Sequence, residues 1–360
     1  MRAAVCREFG SPLQIEEVQL GDVGPTDVHV DIAACAVCHS DIHFAEGAWG
    51  GFLPAVYGHE AAGVVLAVGV EVADVAPGDR VVVTLIRSCG TCVQCQRGNL
   101  VFCETPFETD QQQRLHGSDG EDVHAALLCG AFAEQVIVDR SQVVIIPADL
   151  DWSAASLLAC GVITGVGAVL NTSSATADST IVVVGTGGVG LNAIQGAAIL
   201  GAKTIVAVDL EDEKLELAKS FGATHGVNAR ADDVIGQIRA ATGRKGATHV
   251  FVSVGSSAAI KSALRYLEPG GELVIVGMPA SNQEIEIDPV IIAAAGHRII
   301  GSKMGTSDIR RDIPQLIEWY REGKLLLDEL VSATYPLSEI NAAIDAVGDG
   351  SVIRNVVLMN

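Results

Sequence analysis

Positive charge is scarce in this chain. Its 360 residues carry 23 lysines and arginines against 44 aspartates and glutamates, a formal net charge of −21. A polyanion repels phosphate backbones and anionic lipid, so neither nucleic acid nor a membrane is an expected partner. An N-terminal apolar run is also missing. MRAAVCREFGSPLQIEE has no h-region, which predicts no secretory signal and a cytoplasmic location. No repeat at a fixed period and no low-complexity run occurs, so no repeat architecture is expected. Residues 152–177 and 181–202 lack charge and are long enough to raise the question of a membrane helix. Both are broken by Gly, Ser, Thr and Asn, and they read as buried elements of an α/β domain. Apolar residues are plentiful at 49%, enough for a large core, and the length suits two domains.

The two halves differ in rhythm. VHVDIAA (28–34), GVVLAVG (63–69), RVVVTL (80–85) and AEQVIVD (133–139) read as strands with little helical periodicity between them. They predict an irregular β-barrel. From residue 180 onward six short apolar strands alternate with helices: TIVVVG, KTIVAVDL, THGVN, ATHVFVSVG, GELVIVGM and RIIGSK. That alternation predicts a doubly wound parallel sheet. SAAIKSALRYLEPGG is expected to be a helix with a Pro-Gly stop, and the tail from 304 holds a further helix, IRRDIPQLIEWYREGK.

Gly185, Gly187 and Gly190 form a GxGxxG between the first of those strands and its helix. Gly185 permits the tight turn, Gly187 a close approach to a pyrophosphate, and Gly190 the packing of helix on strand. Gly188 and Val189 complete the loop. Asp209, at the end of the next strand, would accept hydrogen bonds from an adenosine ribose. A carboxylate there repels a 2′-phosphate, and no Arg follows in VDLED, so NAD is expected rather than NADP.

The chain has nine cysteines, four of them in CGTCVQCQRGNLVFC. Cys89, Cys92, Cys95 and Cys103 fit a closed tetrahedral zinc site; an iron–sulfur cluster, a disulfide pair or a nucleic-acid-binding ribbon are the other readings. A reducing cytosol speaks against disulfides and the net charge against a ribbon. ACAVCHSDIH, YGHEAAG and LACGVITG supply Cys38, His59 and Cys160, which together would make a Cys2His site with an open fourth position.

With CHSDIH, GHEAAG, PGDRV, the four-cysteine segment, CGVITG, GTGGVG and the late Asp209, the chain resembles the zinc-dependent medium-chain alcohol dehydrogenases from end to end. The resemblance implies an α/β protein in two parts. A GroES-like β-barrel catalytic domain would span 1–161 and 304–360, and an NAD-binding Rossmann domain 162–303. It implies two zinc ions per chain. Cys38, His59 and Cys160 would hold the catalytic one, with Asp41 and Glu60 orienting the ligands, and the four clustered cysteines the structural one. It makes Ser40 the group that takes the alcohol proton and His43 the outer end of the relay. His39, Thr164, Lys214 and Arg354 become cofactor contacts, Arg354 and His39 on the pyrophosphate. Trp49 and Leu85 become pocket residues, suited to primary, aryl or terpenoid alcohols. Cys6, Cys35 and Cys129 match no ligand position and read as packing.

LHGSDGEDVHAALLCGAFAE (115–134) resembles mycothiol-type members of the branch that oxidises thiol–formaldehyde adducts. An S-(hydroxymethyl)thiol dehydrogenase is therefore the alternative, and a zinc-bearing redox sensor without catalysis the alternative of another class. A homodimer is expected, with RIIGSK pairing across it as in relatives, and a tetramer as the alternative.

Overall fold

A computed structural model describes residues 1–107, 114–243, 245–350 and 352–359. The chain divides into two compact units. The first comprises Met1–Cys160, Asp308–Ile317 and Leu327–Asn360; the second comprises Gly161–Ser307 and Glu318–Leu326.

The first unit is β-rich. Arg2–Cys6, Gln14–Leu20, Leu115–Gly117, Asp122–Ala125 and Ala55–Val56 close a small barrel. Beside it runs a second sheet in the order Val143–Ile145, Arg80–Thr84, Glu60–Val68, Asp27–Ala36, Arg354–Leu358, Val331–Pro336, with Gln135–Asp139 paired to Asp27–Ala36. The register sets Glu60 against Thr84 and Cys35 against Ala61. Alternating valines and alanines of these strands, with Phe132 and Tyr57, fill the core. Sequence periodicity found the long strands here. The short ones at 115–117, 122–125 and 143–145 are too brief to show a period of two.

The second unit is a six-stranded parallel sheet. Its order is His225–Asn228, Thr204–Asp209, Thr180–Val184, Ala247–Val252, Leu267–Ile275, Arg298–Gly301. This is the 3-2-1-4-5-6 order of dinucleotide-binding domains. Thr180–Val184 is buried at every position, as expected of a strand covered by helices on both faces. One expectation fails locally. The helix predicted over 257–271 ends at Ala263, a 3-10 turn covers Leu264–Tyr266, and Leu267–Ile275 is strand. Pro269 removes a backbone donor and biases Glu268 toward extended backbone, so the strand begins before the Pro-Gly turn rather than after it.

Trp152–Thr172 is one helical run with π-helical turns at Leu158–Val162 and Ala168–Thr172. By length and composition it could cross a membrane, but 89% of its apolar window is buried in the protein. It is a core helix, and Cys160 sits in its first π turn, an irregularity often found at functional sites.

Candidate functional site

The first unit gathers Cys38, His59, Glu60 and Cys160. All four are buried, and one donor atom from each lies within 4.8 Å of the others. Local structure explains the gathering. Cys38 caps the short helix His39–Ala45, and Asp41, three residues on, returns its carboxylate to the Cys38 amide at 3.0 Å. The other Asp41 oxygen accepts from the Gly58 amide at 2.9 Å and from His59 Nδ1 at 3.0 Å. Gly58 is required there: its φ is +93°, and a Cβ would stand 2.5 Å from the Phe132 amide nitrogen.

Donation from Nδ1 to Asp41 fixes the His59 tautomer and leaves Nε2 as a lone-pair donor. Nε2 is buried and meets no hydrogen-bond partner among the described residues. An orphaned imidazole nitrogen beside two thiols is the donor set of a zinc site, with separations that a tetrahedral ion spans. The two thiols differ in how readily they ionise. Cys38 is held well below the ordinary thiol range, chiefly by a hydrogen bond from Cys160, and Cys160 is pushed up correspondingly. Burial raises Glu60 to about 7, opposed by the Arg354 guanidinium.

Arg354 is itself buried and pairs with Glu60. Breaking a buried ion pair by removing one partner costs about 3–5 kcal/mol, so Arg354 is built into the cluster's wall. Sequence reasoning offered Arg354 only as a cofactor contact and missed its partner, because the two lie nearly 300 positions apart.

Ser40 is half-buried and His39 exposed on the same helix turn. His43 rests its ring on Trp49, with centroids 5.0 Å apart, and its Nδ1 lies 4.0 Å from Glu46. Trp49 meets Phe44 edge-on at 5.2 Å. Leu85 packs against the core of this unit.

The second cluster in this unit is Cys89, Cys92, Cys95 and Cys103, again within 4.8 Å of one another. Sγ–Sγ separations of 4.0 Å (Cys89–Cys95) and 3.9 Å (Cys92–Cys103) are far beyond a disulfide bond. They match the roughly 3.8 Å edge of a tetrahedron with 2.3 Å metal–sulfur bonds. The Cys89 sulfur accepts from the Cys92 amide at 3.2 Å and from the Thr105 hydroxyl at 2.9 Å. Those donors, Thr105 foremost, bring its thiol down to about 5.

In the second unit, Gly185 has φ +89°, and a Cβ on Gly190 would lie 1.9 Å from the Gly185 carbonyl oxygen. A Cβ on Gly187 would meet only open space, the room a pyrophosphate needs. Gly187 caps the helix Gly188–Leu200, which begins with Gly188 and Val189. Asp209 ends its strand and braces the loop: one oxygen accepts from the Thr186 amide at 2.7 Å and from its hydroxyl at 2.8 Å. Thr186 was not singled out from sequence, since nothing local ties it to a residue 23 positions on. Thr164 is buried with its hydroxyl on Met304 Sδ at 3.6 Å, and Lys214 is half-buried on the helix Asp212–Ser220.

Residues 24–148 match the family model for the alcohol dehydrogenase GroES-like domain, and 188–322 that for zinc-binding dehydrogenases. A putative alcohol dehydrogenase D of Mycobacterium tuberculosis is 36% identical over 99% of both chains. The S-(hydroxymethyl)glutathione dehydrogenase of Paracoccus denitrificans is 33% identical, also over 99% of both. Among solved structures, benzyl alcohol dehydrogenase from Acinetobacter calcoaceticus superposes with a TM-score of 0.93 at 29% identity, covering 100% of this chain and 99% of that one.

Proposed function

Because this chain belongs to the zinc-dependent medium-chain alcohol dehydrogenases, we propose that it interconverts a primary, aryl or terpenoid alcohol and its aldehyde or ketone, with NAD as the nicotinamide cofactor and two zinc ions per chain. The observation that carries this reading is the buried Cys38–His59–Cys160 donor set, with the His59 tautomer fixed by Asp41. A zinc ion held there supplies Lewis acidity that lowers the pKa of an alcohol, and the dinucleotide supplies the hydride acceptor.

The chain's own residues do the rest. Cys38, His59 and Cys160 bind the metal, and Asp41 orients His59. Arg354 faces the Glu60 carboxyl in the cluster wall. Ser40 accepts the alcohol proton at Oγ, and His43, one helical turn on, passes it outward. Trp49 and Leu85 provide apolar wall to the substrate. The four-cysteine cluster ties residues 89–103 together and leaves no open position for a substrate. Gly185, Gly187 and Gly190 seat the pyrophosphate, and Asp209 favours an unphosphorylated ribose. On this reading the two units are the catalytic and the NAD-binding domain, in a cytoplasmic protein.

A homodimer through the edge strand Arg298–Gly301 is part of the proposal. That edge is unpaired among the described residues and exposes Ile299, and the preceding helix Pro289–Ala295 exposes Val290 and Ile291. Such an edge invites pairing with a second chain. A second reading, oxidation of an S-(hydroxymethyl)thiol, is favoured by the relative from Paracoccus denitrificans.

The deciding assay follows NADH absorbance with NAD and a panel of free alcohols, beside wells holding formaldehyde with glutathione or mycothiol. Turnover of free primary, aryl or terpenoid alcohols is expected. Turnover confined to the thiol wells would replace the first reading by the second, and turnover in none would overturn both.

A further inference from the structure

The ribose-facing end of the second unit holds an ion pair that the cofactor reading leaves unused. Thr204–Asp209 and His225–Asn228 run parallel with Asp209 opposite Asn228, so both chains leave the sheet at the same place. After the first strand comes Glu211, whose amide donates to Asp209 Oδ1 at 3.3 Å. After the second comes Arg230, pinned by its amide to Asn228 Oδ1 at 2.8 Å. Arg230 and Glu211 then close on each other at 3.0 Å, both side chains more than half exposed.

Asp209 is meanwhile fully engaged. Oδ2 takes both Thr186 donors, and Oδ1 takes the Leu210 and Glu211 amides. Four donors match the lone-pair capacity of a carboxylate. Asp209 thus holds the glycine loop as well as repelling a phosphate, and replacing it would disturb both.

We propose that Glu211 and Arg230 form a second cofactor-selectivity pair, in which Glu211 occupies a guanidinium that would otherwise bind the 2′-phosphate of a phosphorylated adenosine. This rests on the dinucleotide reading above. Arg is the side chain best shaped for a phosphate, through two parallel N–H donors, and here its Nη2 faces a Glu211 carboxylate oxygen at 3.0 Å. Glu211 therefore acts twice: it adds negative charge beside Asp209, and it engages a nearby cation, Arg230. The pair explains how a site can refuse a 2′-phosphate with an arginine next to it.

The test is calorimetric titration of the whole chain at low salt with 5′-AMP and with adenosine 2′,5′-bisphosphate. Wild type, Glu211→Gln and the double variant Glu211→Gln with Arg230→Gln are compared. Removing one charge roughly 6 Å from a dianion in water changes its affinity about tenfold, so Glu211→Gln is expected to bind the bisphosphate about tenfold more tightly. The gain should disappear in the double variant, while 5′-AMP affinity changes by less than about threefold throughout. An unchanged bisphosphate affinity in Glu211→Gln, or a gain that survives loss of Arg230, would overturn the pair while the dinucleotide site stands. Failure of wild type to bind 5′-AMP at all would overturn the dinucleotide reading and the pair with it.

Discussion

At the scale of single residues, the metal cluster is an economy of hydrogen bonds around Asp41. Three donors from two segments, Cys38 on one and the neighbours Gly58 and His59 on the other, converge on one buried carboxylate. That convergence orients His59 before any ion arrives, while the φ of +93° and the close Phe132 backbone require Gly rather than Ala at 58. Cys38 caps the helix and is a proposed zinc ligand, so its removal is a sharp probe. Cys38→Ala is expected to lower bound zinc by one equivalent per chain, read by elemental analysis after gel filtration. Alcohol turnover should fall by more than about a hundredfold, since even indirect disturbance of a zinc site costs 10–100-fold. Full zinc content with full turnover would remove Cys38 from the site.

At the scale of elements, the parallel sheet is closed at its other end by a polar knot. His249 on Ala247–Val252, Glu272 on Leu267–Ile275 and Arg298 on Arg298–Gly301 meet Ser174. Ser174 Oγ lies 3.2 Å from both His249 Nε2 and Glu272 Oε2, and Arg298 pairs with Glu272 at 3.0 Å. Burial holds the His249 imidazole below its ordinary value, with Glu272 pulling it up and Arg298 pushing it down. A histidine with a lowered folded pKa contributes stability that is complete above about 6.5 and lost as pH falls below it. Between pH 7.5 and 5.5, the melting temperature of wild type should therefore fall further than that of His249→Gln. An equal or steeper fall in the variant would show that His249 is not the titrating group. None of this knot was legible in the sequence, because its four members come from separate elements 23 to 124 positions apart.

At the scale of the whole molecule, the net charge of −21 keeps copies apart unless an interface repays the repulsion. The exposed edge strand Arg298–Gly301 offers backbone pairing, and Ile299, Val290 and Ile291 offer apolar area. Ile299→Asp is expected to halve the mass seen by sedimentation velocity, with NAD binding retained. A wild type that sediments as a monomer would overturn the dimer, and a variant that stays dimeric would move the interface elsewhere. The comparison with benzyl alcohol dehydrogenase, at a TM-score of 0.93 and 29% identity, shows how much side-chain change this architecture absorbs.

The sequence by itself determined what short-range chemistry can write. The GxGxxG between strand and helix, the four closely spaced cysteines and the six apolar strands of the parallel sheet are all local patterns, and each was readable because turn geometry, ligand spacing and burial act over a few residues. Tertiary structure alone decided which distant groups would meet. It brought Glu60 to Arg354, Thr186 to Asp209, and Glu211 to Arg230, and it started the strand Leu267–Ile275 ahead of the Pro-Gly turn. Burial is the reason: a charge or a polar group taken from water must find its partner wherever packing puts one, and no local pattern records where that will be.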